Sequence, residues 1–417
     1  MFLVISIAGT AITFLLHVFL ARVMGPESYG YFAYAVNVMS ILVLGGQLGY
    51  QHASIRFVSE YIAKNQRGLL KGFYQSSTRD IAVGSAATSA LIIVGLEFWR
   101  RSVDIEVDLA RSIQALAVLV PAVSFSTVWS GRLRGLKAVS ASQVPTAIVQ
   151  PICFGIVVLA LSLILDRRVA APDAILAYSI AAMSTFVLSQ VFLRRRTDPA
   201  LSSSKPMYRT SEWRRVATSF LAVTAVQIVR NRFVVLAVGF YEPAAEIGFF
   251  SSAKRVASLA AFGLTAVAAW SSPMIAEYHA TGHKDRLQRL ARIAAWCTTA
   301  FALPVTVIVL VFGREILGLF GEEFRHGYSA LAIIALGQLV NSVTGPVGYL
   351  LTMTGHQRIS LRIEAATAAV AVIVSLMLIP RFGLVGAALA DACANVLRNL
   401  TLVVAAWRLI GVRSTVI

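Results

Sequence analysis

The sequence predicts an all-α polytopic membrane protein with about twelve transmembrane helices in two six-helix halves. Three observations predict it. Of the 417 residues, 57% are hydrophobic and 14% are charged, against about 25% charged in a soluble globular chain. Mean hydropathy is +0.74. Apolar segments of membrane length recur twelve times, and the longest hydrophilic break divides them six and six.

In order, the first six segments run over 2–24, 29–54, 73–97, 111–131, 141–165 and 173–193. The second six run over 216–240, 245–275, 289–312, 327–352, 361–379 and 384–409. Several exceed a minimal span, which predicts tilt or protrusion. Pro121, Pro145, Pro151, Pro273, Pro304 and Pro346 fall inside spans, where kinks are tolerated. Met1 leads straight into an apolar run with no basic leader or cleavage site, so the first segment reads as an uncleaved anchor.

The break, RRRTDPALSSSKPMYRTSEWRR, is polar, basic and Ser-rich. It divides the chain into an N-terminal lobe over 1–195, a basic cytoplasmic linker over 196–215 and a C-terminal lobe over 216–417. The halves echo each other: GPESYGYFAYA follows the first segment and EPAAEIGFFSSA the seventh, with Gly30 and Gly248 in register. An even number of spans per repeat predicts parallel repeats about a pseudo-two-fold along the membrane normal.

Charge orients the chain. Loops after even-numbered segments carry Arg56, Lys64, Arg67, Lys71, Arg132, Arg134, Lys137, the run from Arg194 to Arg215, and Lys284, Arg286 and Arg289. Loops after odd-numbered segments are poorer in Lys and Arg, and YEPAAE has none. The positive-inside rule then places both termini in the cytoplasm. The net charge of +17 is spread over short loops. That pattern fits topology and anionic membrane lipids, not a nucleic-acid partner.

Several function classes are disfavoured. Cys153, Cys297 and Cys393 all lie in apolar segments, so neither a disulfide framework nor a metal site is expected. No Gly-x-Ser-x-Gly, His-Glu-x-x-His or phosphate-loop pattern occurs. We therefore expect no enzyme and no cofactor. A membrane-embedded polysaccharide polymerase or ligase would need a sizeable outer loop with reactive groups, and the stretches around 98–110 and 313–326 are too short.

The most informative residues are polar ones inside apolar segments. Arg230, Asn231 and Arg232 lie in the seventh, Lys254 and Arg255 in the eighth. Each group is roughly ten residues, or some 15 Å, from the YEPAAE turn. Charges near the bilayer midplane cost at least about 2.5 kcal/mol each and mark a functional site by default. Positive ones suggest an anionic cargo, and arginine's fork suits phosphate. Arg230 and Arg232 are about 200° apart around a helix, so both cannot face one cavity. Asp391, at similar depth, reads as a counter-ion or as a coupling site for H+ or Na+. Glu364 and Arg398 read as a structural ion pair. Arg56 and Glu60, four apart, read as a helix-end pair or a gate. His17 reads as a packed histidine, Arg22 as snorkelling, and Asn37 as a residue on the repeat-equivalent helix.

ARVMGPESYGYFAYAV with LGYQHASIRFVSEYIA resembles the start of the polysaccharide, or Wzx-type O-antigen, flippases. These belong to the multidrug/oligosaccharidyl-lipid/polysaccharide exporter superfamily. NRFVVLAVGFYEPAAEIGFFSSAKRVASL and IPRFGLVGAALADA are similar to its seventh-to-eighth hairpin and its turn into span twelve. The resemblance covers nearly the whole chain. It implies two lobes around a central cavity. Its cargo would be an undecaprenyl-diphosphate-linked oligosaccharide, flipped by alternating access across the bacterial cytoplasmic membrane, with other polysaccharide assembly proteins as partners. It also implies that Arg232 and Arg255 are the preferred diphosphate pair. Asn231 departs from the family's common Asp and weakens any coupling scheme that needs an acid there. A peptidoglycan-precursor flippase and a cation-coupled small-molecule exporter of the same superfamily are the alternatives.

Overall fold

The computed structural model describes residues 2–102, 107–165, 167–412 and 414–415. Residues 103–106, within the loop expected around 98–110, lie outside that set. The described residues form fourteen α-helices: α1 (Phe2–Gln47), α2 (Tyr50–Ala63), α3 (Arg67–Ser102), α4 (Val107–Gly135), α5 (Val139–Val144), α6 (Gln150–Ile164), α7 (Ala171–Arg196), α8 (Thr210–Tyr241), α9 (Ala244–Ser258), α10 (Phe262–Ala280), α11 (Lys284–Gly318), α12 (Tyr328–Val343), α13 (Val347–Met353) and α14 (Gln357–Ile410). A π-turn over Pro145–Val149 joins α5 to α6.

Each of the twelve apolar segments falls on a helical stretch, but the helices are divided differently. Six helical stretches are long and apolar enough to cross a membrane, and two bent pairs also qualify. α3 and α4, with 36 and 29 residues, are long enough but are not among those six. Two of the six each supply two crossings. In α1, Gly25 takes φ 76° beside Pro26, whose ring blocks helical continuation. The chain turns back there, since the His17 Nδ1 and Tyr29 hydroxyl atoms lie 3.1 Å apart. In α14, Gly383 breaks the helix at φ 53°. Residues 34 apart, Glu364 and Arg398, then meet at 2.6 Å. A straight helix would hold them about 50 Å apart. α14 is therefore two antiparallel arms.

The chain forms two compact units, Met1–Ala225 and Val226–Ile417. The division falls inside α8, later than the 195 and 216 boundaries read from the sequence. The basic segment read as a cytoplasmic linker is packed onto the first unit. Arg67 pairs with Asp198 at 3.1 Å, the Met207 amide donates to the Gly68 carbonyl, and Lys71 donates to the carbonyls of Ser202 and Ser204. Trp213, fully buried, donates to the Tyr61 hydroxyl at 2.7 Å and stands edge-on to Phe73. Sequence polarity does not show this packing, because the buried contacts are made by a few aromatic residues and by backbone groups.

Gly49 caps α2 at φ 76°, and a Cβ there would overlap the Ala217 carbonyl on α8. Gly49→Ala combines left-handed strain with a backbone clash. It is expected to cost about 2 kcal/mol or more, read as a lowered melting temperature of detergent-solubilised protein.

In the second unit, the echo of the repeat is buried as in the first: Tyr29 and Phe32 have their counterparts in Ile247 and Phe250. A second core gathers Ile275, Leu287, Leu350, Leu402 and Ile410. These packed helices position the polar residues described next.

Candidate functional site

Helical spacing brings the second unit's polar residues together. On α14, Asp391, Asn395 and Arg398 are separated by four and then three residues, which places them on one face. Gln338 and Asn341 share a face of α12 for the same reason. α8 contributes Arg230 and Asn231, and α9 contributes Lys254. Together they line a cavity of about 250 Å³.

Two charged nodes sit here. Lys254 Nζ lies 2.5 Å from Asp391 Oδ1 and also donates to the Asn231 carbonyl at 3.3 Å. At the second node Glu364 sits between two arginines. Arg398 Nε donates to its Oε1 at 2.6 Å. Arg230 Nε lies 3.0 Å from its Oε2 as an ion pair whose angle is not that of a hydrogen bond. Three cations against two carboxylates leave the site with one net positive charge. Such buried pairs are stabilised only while every member keeps a partner.

The structure distributes the sequence candidates unevenly. Arg230, Asn231, Lys254 and Asp391 line the cavity, as does Arg398, which pairs with Glu364. Arg232 is exposed and does not line it, as its 200° offset from Arg230 requires. Arg255 is half-buried with no hydrogen-bond partner on its Nε, and is also off the cavity. Of the four cations, Arg230 and Lys254 line this cavity, and Arg232 and Arg255 do not. Arg56 and Glu60 do not pair. Lys64 donates to Glu60 at 2.6 Å and holds its carboxyl below the usual range, while Arg56 stacks on Phe57. His17 is packed against Tyr29 and Phe32. Asn37 is buried and donates to the Ala33 carbonyl.

Sequence reasoning missed three features. Gln338, Asn341 and Asn395 were legible only as amides in apolar segments. In the first unit, Arg132 read as a loop cation but is buried. It donates to the Tyr74 carbonyl, Ser77 and Thr78, and lies 4.6 Å over the Tyr74 ring. Asp80 accepts from Tyr50 at 2.7 Å and from Arg214 Nε and Nη2 at 2.8 and 2.7 Å. A larger cavity of about 370 Å³ adjoins it. That cavity is mostly apolar and its carboxylate is already saturated by donors, so the second unit's site is the better ligand candidate.

Residues 1–279 match the family described as polysaccharide biosynthesis protein, and residues 219–378 match the family described as MatE. A probable low-salt glycan biosynthesis flippase, Agl15 of Haloferax volcanii, is 24% identical over 399 residues, covering 93% of this chain and 78% of that one. An inward-facing multidrug-resistance MATE transporter of the MOP superfamily has a TM-score of 0.75 at 15% identity, covering 96% and 94% of the two chains. The lipid II flippase MurJ in an inward closed conformation has a TM-score of 0.74 at 12% identity, covering 97% and 87%. At these identities the two structures speak for the fold.

Proposed function

The chain belongs to the polysaccharide biosynthesis protein family, and from that premise we propose that it flips an isoprenoid-diphosphate-linked glycan across the cytoplasmic membrane by alternating access. The observation that carries the reading is the net positive site made of a cavity lined by Arg230, Lys254, Asp391 and Arg398, with Glu364 paired to both arginines. A diphosphate is a dense anion. Its oxygens can replace the Asp391 carboxylate on Lys254 and accept from the guanidinium of Arg230. At about 250 Å³ the cavity is below the usual range of about 300–1,000 Å³ for small-molecule sites. It therefore suits one compact headgroup fragment, with the lipid tail left in the bilayer.

The glycan flippase from Haloferax volcanii, similar over most of both chains, supports this cargo class. The likeness to MurJ keeps a peptidoglycan-precursor lipid in view as the alternative. The positive charge argues against a cationic drug, which such a cavity would repel. On this reading the chain moves its cargo without making or breaking bonds, and both termini face the cytoplasm. Membrane lipids and other polysaccharide assembly proteins are its neighbours. Asp391, once released from Lys254, is the group available to couple H+ or Na+.

The test is translocation of a fluorescent isoprenyl-diphosphate sugar in proteoliposomes containing the intact protein. The expected result is protein-dependent movement between leaflets. No movement with any of several sugar donors would refute the proposal.

A further inference from the structure

We infer that Gln338, Asn341 and Asn395 form a sugar subsite that reads the glycan residue bonded directly to the diphosphate. The inference rests on the flippase reading and assigns specificity within the same cavity.

Three observations carry it. All three side chains line the cavity beside Arg230 and Lys254. Asn395 also sits between the two charged nodes on α14, four residues after Asp391 and three before Arg398. A ring linked to a phosphate held by Arg230 and Lys254 therefore reaches the amides.

Second, the two α12 amides are poorly satisfied by the protein. Among the described residues, Gln338 and Asn341 bond only to each other, at 3.3 Å within α12. Asn395 is better satisfied: its amide donates across to the Gly337 carbonyl of α12 at a long 3.4 Å, and its Oδ1 accepts from Asn399 Nδ2 at 3.2 Å. Polar groups in an apolar surround are costly unless bonded. Amides that fasten membrane helices do so by bonding across helices, and the α12 pair makes no such bond. Their remaining donors and acceptors are open to the cavity.

Third, the chemistry matches. A carboxamide both donates and accepts, as sugar hydroxyl and acetamido groups require. A phosphate needs donors alone, so three amides add little that the cations do not already supply. Rejection of a ligand lacking the matching polar group is strong where site amides would be left unpaired.

The experiment compares binding of bare isoprenyl diphosphate with isoprenyl diphosphates bearing N-acetylglucosamine, N-acetylgalactosamine, glucose or galactose, using intact protein in nanodiscs. The intact protein is expected to bind at least one sugar-bearing carrier more tightly than the bare one. Gln338→Leu with Asn341→Leu is expected to weaken that carrier about tenfold more than the bare one. Retained binding of the bare carrier reports that the variant is folded. Gln338→Leu alone is the second variant, with the same sign and a smaller effect. Equal losses for both ligands in both variants, or no loss, would overturn the inference. So would an intact protein that binds bare and sugar-bearing carriers alike, although the flippase reading would survive that result. Failure to bind any carrier would instead sink the flippase reading itself.

Discussion

Lys254→Gln combined with Arg230→Gln is expected to lower translocation of a lipid-diphosphate sugar by about a hundredfold. Each charge-assisted hydrogen bond to phosphate contributes about 1.5–3 kcal/mol, and two together exceed the roughly 2.7 kcal/mol of a hundredfold change. The double variant leaves Asp391 without its lysine, so a fold defect must be separated from a binding defect. Lys254→Gln with Asp391→Asn does this. It replaces an ion pair 2.5 Å apart by two amides that can bond to each other. We expect that variant to keep its melting temperature and still lose affinity for the bare isoprenyl diphosphate. Arg232→Gln is the contrast. Off the cavity that Arg230 lines, it should lower translocation less than Arg230→Gln does. Equal damage from Arg232→Gln and Arg230→Gln would show that the cavity assignment is wrong.

Glu364→Leu is expected to produce the largest loss of stability. The carboxylate lies between Arg398 and Arg230, at 2.6 and 3.0 Å. Removing it leaves two like charges facing each other across the site. Breaking a buried pair in this way costs about 3–5 kcal/mol. The cavity gives both arginines some access to solvent, so the lower end applies, about 3 kcal/mol, or roughly 10 °C in melting temperature. Replacing a buried ion pair wholly by apolar groups is often neutral. Glu364→Leu with Arg398→Leu should therefore recover most of the loss. If the double variant melted as low as the single one, the damage would come from packing and not from stranded charge.

The class of fold was legible because hydropathy is a local, additive property. Twenty apolar residues must be helical and satisfied within themselves wherever they lie in a bilayer. The reversals in α1 and α14 were legible too, at Pro26 and Pro380, although the glycines beside them make the break. The packing of segment 196–215 on the first unit was not legible, because it rests on one buried tryptophan and a few backbone contacts. The candidate site was legible as a set of charges out of place, and the choice among them was not.

The sequence by itself determined that this is a many-span membrane protein, that it carries cations at bilayer depth, and that Arg230 and Arg232 must diverge. Those conclusions need only hydropathy and the helical repeat. Only the tertiary structure decided that Arg230 and Lys254 line one cavity, that Glu364 bridges two arginines, and that the amides of α12 and α14 share that cavity. The reason is that a helix repeat fixes the angles between side chains on one helix and says nothing of how that helix is rotated against its neighbours. Rotation is set by packing across helices far apart in the chain, and it decides which charge meets a partner.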